Sequence, residues 1–534
     1  MARRPSAALL RRLGQRSRLR ALLATLAAAI AGAAVLVLPR PASAQKWTVD
    51  AGISSQLTWS SNARLGSTDS SGSSGSSGGD VLLDVRPRIR LLAEGSRLKL
   101  SGSAVVSAVT YADRSQPTRL QPDVDLAASF IAVDRLLFLD ASLRAVQNSA
   151  NVFGARPEQG ATSENSVTTT QGRVAPRLEG QFDSLRRYRL LSENTYTRES
   201  GATTSVAGAG VAGYFGRHSL LLEQLPRPFG VKVDAERDET RYRNAVEDPL
   251  VIDLARLTLS YEIASDFTVG VHGGRERTSF DTGGSAGNLF GVQAQWTPSP
   301  RTTFSAFEEE RFFGRAWSAS FSYRTPQLAF NLLSSRGVET SPQSVLDVPR
   351  TGNVVALLDA IYTTRYPDPT ERARIINELI ARDGLPTDTL QPTFVRAQRL
   401  SLTTLSSAGV TLIGVRNSLS LVAFQTRTED ALDSGPLATA LALTNNTQAG
   451  AAIAASHRLS PTIALVGSLD WTRIRALRSA AGERSTQRSA RLQLNAEVVS
   501  KMNVFGGARY RDFETNTTSG SREAAVFVGV DRRF

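Results

Sequence analysis

Apolar and polar residues alternate along most of this chain. In WTVDAGISSQLTW, Trp47, Val49, Ala51, Ile53, Leu57 and Trp59 share one parity, and Thr48, Asp50, Gly52, Ser54, Gln56 and Thr58 take the other. VLLDVRPRIRLLA sets Val81, Leu83, Val85, Pro87, Ile89 and Leu91 against Asp84, Arg86, Arg88 and Arg90. AWSASFSYR sets Trp317, Ala319, Phe321 and Tyr323 against three serines and Arg324, and SARLQLNAEVV repeats the rule through Val498. A period of two is that of an extended strand with one apolar and one polar face. A soluble sandwich or jelly roll would alternate in the same way, so the connections decide. Short turns fall at 93–97, 183–187, 264–266, 297–302, 324–327, 414–417, 459–462 and 499–503. Long polar connections intervene, among them 60–79, 148–167, 198–212, 429–446 and 475–487. Short turns alternating with long loops mark an antiparallel transmembrane β-barrel of the outer-membrane type. The expected count is about 22 strands, within 18–22, over 45–337 and again over 395–534.

Residues 338–394 break the alternation. In YPDPTERARIINELIARDGLP, Asp368 can cap a helix, Pro369 suits its first position, and Glu371 stands where a capping box places its acid. Ala373, Ile376, Leu379 and Ile380 form an apolar stripe, and Gly384 and Pro386 end the helix. A shorter apolar helix is expected from Val354 to Thr363. Such short helices need a surface on which to bury the stripe, so inward folding as a plug is favoured over an outer cap.

Composition narrows the chemistry. There is no Cys, and of 62 basic residues only Lys46, Lys99, Lys232 and Lys501 are lysine. The net charge of +13 is concentrated at the start. Residues 1–44 hold eight Arg and no acid, leaving 13 − 8 = +5 on the rest, a weak field that does not suggest nucleic acid. That start reads as a cleaved signal peptide: a basic region, the apolar run from Ala21 to Leu38, then Ala42-Ser43-Ala44. The mature chain is expected in the outer membrane of a Gram-negative cell. GAGVAG (Gly208 to Gly213) and GSSGG (Gly75 to Gly79) spell nucleotide and nucleophile motifs without the strand and helix contexts those motifs need. His218, His272 and His457 lie on separate strands, without metal-ligand spacing. FEEERF (Phe307 to Phe312) is read as a solvated strand end near the outer rim. No catalytic residue, cofactor or metal is expected.

The polar parity collects Arg86, Arg88, Arg90, Arg491, Arg509 and Arg511, with Asp84, Asp234, Glu236, Glu309 and Glu497 as counter-charges. Charges inside a barrel pair with one another or line a wet path. An Arg ladder guiding an anionic polymer is the sharper alternative. Phe534 shares parity with Val526, Val528 and Val530, and reads as part of a closing strand paired near Trp47.

The leader, the hairpin VRPRIRLLAEGSRLKLSG, the YPDPTERARIINELIARDGLP insertion and the terminal Phe534 together resemble outer-membrane β-barrel proteins associated with PEP-CTERM/exosortase systems. The insertion is the most specific of these. The resemblance implies a setting in exopolysaccharide production, and so a polysaccharide substrate and an export complex as partners. It also implies that the barrel assembly machinery reads Phe534. Lipid and lipopolysaccharide are the expected surroundings. A structural barrel with a sealed lumen is the alternative to a channel, and an outer-membrane hydrolase, which would need the inward-parity His272 beside a Ser or Asp of a neighbouring strand, is a third reading.

Overall fold

The computed structural model describes residues 46–63, 65, 79–113, 118–149, 151–156, 165–200, 212–242, 249–279, 285–340, 354–383, 400–431, 445–477, 482–517 and 520–534. The signal peptide, Gly384, Pro386, residues 75–78 of GSSGG and residues 208–211 of GAGVAG lie outside the described residues.

The strands, in chain order, are β1 (Lys46–Ser60), β2 (Asp80–Glu94), β3 (Leu98–Tyr111), β4 (Arg119–Val133), β5 (Leu137–Ser149), β6 (Ser166–Gln181), β7 (Arg186–Ser200) and β8 (Gly213–Gln224). Next come β9 (Phe229–Tyr242), β10 (Leu250–Ala264), β11 (Phe267–Ser279), β12 (Ser285–Ser299), β13 (Thr302–Arg311), β14 (Gly314–Arg324) and β15 (Leu328–Thr340). Helices α1 (Val354–Tyr362) and α2 (Pro369–Asp383) follow. The remaining strands are β16 (Leu400–Ile413), β17 (Asn417–Asp430), β18 (Asn446–Arg458), β19 (Ile463–Ala476), β20 (Arg484–Val499), β21 (Met502–Thr515) and β22 (Ser521–Arg533).

Each strand pairs antiparallel with its chain neighbours, and β1 also pairs with β22, so the 22-stranded sheet closes. Closure leaves no row of unpaired backbone groups for lipid to meet. The seam runs from Gly52↔Arg533 to Ser60↔Ala525. The Phe534 amide extends it, donating to the Ala51 carbonyl at 2.9 Å.

The alternation becomes two faces. Large apolar residues such as Leu83, Val292, Leu469, Leu494, Val526 and Val528 are exposed on the outside. Asp84, Thr258, His272, Thr426, Gln448 and Glu523 are buried on the inside. No helix among the described residues is long and apolar enough to cross a membrane; the strands cross it. The molecule is a transmembrane antiparallel β-barrel of the outer-membrane type.

At one end every connection between strands is two to four residues long, as at 95–97 and 500–501. Register shifts in β4–β5, β10–β11, β12–β13 and β20–β21 all sit beside these turns, where a bulge adds the local bend a tight turn requires. The long connections gather at the other end. Short turns face the periplasm and long loops the exterior, which sets inner and outer ends. One outer connection is short: residues 312–313 join β13 to β14, with Gly314 at φ 92° supplying the reversal.

The insertion is shifted from its expected bounds of 338–394. Val338, Glu339 and Thr340 stay in the ladder opposite Leu402, Ser401 and Leu400. The insertion therefore begins after Thr340, and residues 395–399, which the expected bounds give to the barrel, lie outside the described residues.

Candidate functional site

The helical hairpin starts from the outer end of β15, yet it packs at the inner end of the barrel. Leu357 and Ile361 of α1 cluster with Ala329, the second residue of β15, and with Ile413, the last of β16. Leu412 beside Ile413 is exposed to lipid, so Ile413 and its cross-strand neighbours point inward. A segment leaving the outer end and docking on inward side chains at the inner end has entered the lumen. α2 then lies against β18, β19 and β20.

The hairpin has its own small core. Val354 and Leu358 of α1 bury against Ile376 of α2, with Leu379 and Ile380 packed on the same cluster. Asp368 Oδ1 accepts the Glu371 amide at 2.7 Å, satisfying one of the orphan donors of the helix start. Arg372 joins the two helices. Its Nε donates to Asp359 Oδ1 at 2.6 Å, and its Nη1 donates to the carbonyls of Tyr366 at 2.8 Å and Pro367 at 3.1 Å. Sequence reasoning singled out the stripe and the cap but missed Arg372 and Asp359. Their pairing spans the turn between the helices, which no single-helix pattern reveals.

A second inward segment was also missed. Polarity predicts a solvated loop for the β5–β6 connection, but Val152 and Phe153 are buried against Ile474 of β19. Asn165 clamps this segment, accepting the Asn151 amide at 2.7 Å and donating to the Asn151 and Ala155 carbonyls. The Arg156 amide donates to Gln487 on β20, and Arg511 on β21 donates to the Arg156 carbonyl at 2.8 Å. Burial lowers the Arg156 guanidinium to about 10, with Asp470 offsetting part of the effect, so it stays charged at neutral pH.

This contact constrains the outer mouth. Twenty-two strands about 4.8 Å apart and tilted about 40° make a circular ring about 44 Å across. β5 and β19 are eight strand steps apart, a chord of about 40 Å on that ring. Val152 lies three residues past Ser149, a reach of about 11 Å at most. The rim is therefore pinched between β5–β6 and β19–β21. Two apolar residues within a polar connection, Val152-Phe153, were the available signal.

The predicted inward Arg residues form ion pairs more than a free ladder. Arg86 Nε donates to Asp84 at 2.6 Å, and Asp84 also accepts Ser107. Arg88 grips Asp531 across the β1–β22 seam, with Nη2 to Oδ1 at 2.6 Å. Arg90 stands opposite Asp50. Arg509 donates to Glu523 at 2.9 Å, and Arg511 lies 3.8 Å from the same carboxylate. Both arginines are buried, so they brace the wall and do not face open space. Arg491 donates to Gln493 and lies 4.6 Å from the Phe527 ring centre.

Glu309 is the hub of a second network. Its Oε2 accepts Arg256 Nη1 at 2.8 Å and lies 3.1 Å from His272 Nε2. The register explains the reach: His272 pairs with Gly291, and Gly291 pairs with Glu309. With no side chain at 291, the carboxylate crosses β12 to the strands beyond. A Cβ there would lie 2.1 Å from the Glu308 carbonyl oxygen and 2.7 Å from Glu309 Cβ. Arg256 also pairs with Asp234, and Arg311 with Glu276. Glu308 and Glu310 of the FEEERF stretch take the lipid-facing parity near the outer rim, with Glu308 3.6 Å from Arg315.

None of the histidines is arranged for nucleophilic catalysis. His218 Nδ1 lies 3.0 Å from Ser192 Oγ, but both take the lipid-facing parity of Leu190 and Leu220. His457 pairs with Asn417 at 2.6 Å. Among the described residues no group of three His, Cys, Asp or Glu side chains could hold a metal.

No protein-family model matches the chain, and no curated protein matches it. Its shape is similar to those of solved outer-membrane proteins. The FrpB iron transporter from Neisseria meningitidis (F3-3 variant) aligns over 91% of this chain and 82% of its own, at 10% identity and a TM-score of 0.46. The siderophore receptor PirA from Acinetobacter baumannii aligns over 92% and 81%, at 10% identity and a TM-score of 0.44. OccAB1 from Acinetobacter baumannii aligns over 91% and 97%, at 8% identity and a TM-score of 0.32. Likeness at this distance assigns no substrate.

Proposed function

We propose that the protein is an outer-membrane channel whose passage is set by the helical hairpin held in its inner mouth. The observation that carries this reading is the docking of α1 on Ala329 and Ile413 through buried side chains, at the far end of the barrel from the hairpin's own attachment. A polar, ion-paired inner wall supports it, because hydrated solutes move along walls that stay wet. The solute we propose is an exopolysaccharide on its way out of the cell. The basis is the resemblance of YPDPTERARIINELIARDGLP and its companion motifs to the PEP-CTERM/exosortase-associated barrels. Export of a polymer would also give Arg86 and Arg88, which are paired but not buried, a second role, since a guanidinium can exchange a carboxylate of the wall for one on a passing chain.

A second reading is favoured by the strut at the outer mouth. Val152, Phe153 and Arg156 tie two walls together, as a sealed structural barrel would require. Planar-bilayer conductance separates the two. Removing residues 345–390 leaves every strand in place, and a channel gated by the hairpin then conducts several-fold more than the intact protein. A sealed barrel stays silent in both forms.

A further inference from the structure

At the outer end of β19–β22 the lipid-facing side carries a concentrated basic patch. Arg473 and Arg475 lie at the end of β19, Arg484 and Arg488 at the start of β20, and Arg522 at the start of β22. All five are exposed. They share the parity of the lipid-facing Leu469, Leu492 and Val526, so they face away from the lumen. The acids on this face are Asp512 and Glu514, which leaves the patch at 5 − 2 = +3. Arg488 and Arg522 take the Asp512 carboxylate at 2.9 and 3.1 Å, and Arg488 lies 3.4 Å from Glu514. Both acids are thereby used.

Register adds an independent observation. Arg475 is directly opposite Arg484 in the β19–β20 ladder. Like charges facing each other across a strand pair destabilise the sheet, and neither residue has an ion pair with a carboxylate among the described residues. Elsewhere on the outward rim the pattern differs: Arg237 lies 3.4 Å from Asp253, and Arg241 pairs with Glu239 on its own strand. Depth adds a third. Trp471 is opposite Arg488, and Arg473 stands 5.5 Å from the Trp471 ring centre. Tyr510 is exposed on the same face. Tryptophan and tyrosine mark the level where acyl chains give way to headgroups. The cations thus sit at headgroup depth, above an apolar wall.

We infer that this patch is a docking surface for a phosphorylated lipid of the outer leaflet. Its headgroup phosphate would lie between Arg475 and Arg484, with Arg473 and Arg488 flanking it and the acyl chains along Leu469, Leu492 and Val526. Arginine forks suit phosphate oxygens, and an anion at this position turns a repulsive cross-strand pair into an attractive one. The inference rests on the membrane orientation and not on the channel reading, so conductance plays no part in its test.

The test uses the intact barrel in phosphatidylcholine nanodiscs, with and without diphosphoryl lipid A, and reads the unfolding midpoint by heat-modifiable migration. Lipid A raises the midpoint of the natural protein. The double variant Arg475→Gln/Arg484→Gln loses most of that rise, while folding in phosphatidylcholine alone with a midpoint no lower than the parent, because the repulsion is gone. Arg241→Gln, on the opposite sector, keeps the rise. A rise that survives the double substitution overturns the inference, as does an equal rise with dephosphorylated lipid A. An equal rise with inorganic phosphate in plain phosphatidylcholine also overturns it, since that would be a free-anion site. If the double variant does not fold, Arg473→Gln is examined by native mass spectrometry. Fewer bound lipid A molecules than in the parent are expected, and an unchanged number refutes the surface.

Discussion

Ile376→Ala separates the hairpin from the barrel that holds it. Ile376 is 1% exposed and packs between Val354 and Leu358 of the partner helix. Truncating a buried Ile to Ala costs about 2–5 kcal/mol. None of that cost falls on a strand ladder, because the cluster it enters is built from the two helices with Ile413 as its wall contact. Helices of 9 and 15 residues are marginal away from a surface, so the loss is expressed as undocking. At about 1.4 kcal/mol per factor of ten, a loss of about 3 kcal/mol moves the docked-to-undocked ratio by about two orders of magnitude. Single-channel recording in planar bilayers reads this directly: longer and more frequent high-conductance intervals than in the parent. Arg374→Ala is the control. Arg374 pairs with Glu378 at an exposed i,i+4 position, worth about 0.3–0.5 kcal/mol, and its trace matches the parent. Heat-modifiable migration confirms that both barrels are folded. A folded Ile376→Ala barrel whose hairpin becomes protease-sensitive while its current stays unchanged would refute the constriction.

Other perturbations address the wall and the seam. Leu494→Arg, on the lipid-facing parity, destabilises by about 2–4 kcal/mol if near the midplane, whereas Ser320→Arg, on the inward parity, costs much less in urea unfolding from lipid vesicles; equal costs would contradict the assignment of faces. Gly291→Ala drives a Cβ into the β13 backbone and dislodges Glu309 from Arg256 and His272, so its unfolding midpoint falls well below that of Gly287→Ala, where the added Cβ meets nothing within 4 Å. Deleting Phe534, which donates its amide to the seam and is otherwise 63% exposed, lowers the yield of heat-modifiable barrel in cells more than it lowers the stability of barrel refolded in vitro. At the β6–β7 turn the amides of Leu185 and Arg186, with the Arg186 guanidinium, hold the Asp183 carboxyl below its ordinary value. A depressed pKa contributes stability above the unfolded value of about 3.9 that is lost as pH falls through the folded one, so an NMR titration of Asp183 has its midpoint below that of a model peptide.

Alternation made the barrel legible because each strand must offer lipid an apolar face and water a polar one. That constraint acts on every residue of every strand. The hairpin was legible in part for a different reason. Asp368, Pro369 and the Ile376–Ile380 stripe encode a helix locally, but its companion contacts with Asp359, Ala329 and Ile413 depend on where the chain folds back. The Glu309 hub was hidden for want of register: only when Gly291 is seen between His272 and Glu309 does the carboxylate's reach make sense. Val152 and Phe153 carried a signal that their polar surroundings obscured. The short 312–313 connection ran against the general length rule for outer loops, and only the φ of Gly314 accounts for it.

The most direct test of the hairpin's place is a disulfide trap, simplified by the absence of native Cys. Ala329 and Leu357 are both 0% exposed and share one cluster, one on the barrel wall at its inner end and the other on α1. Ala329→Cys/Leu357→Cys, oxidised in intact outer membranes, should cross-link nearly completely, whereas Ala329→Cys paired with Arg374→Cys on the exposed side of α2 should not. A folded Ala329→Cys/Leu357→Cys barrel that stays fully reduced under the same oxidation would place the hairpin outside the lumen and contradict the channel mechanism built on it.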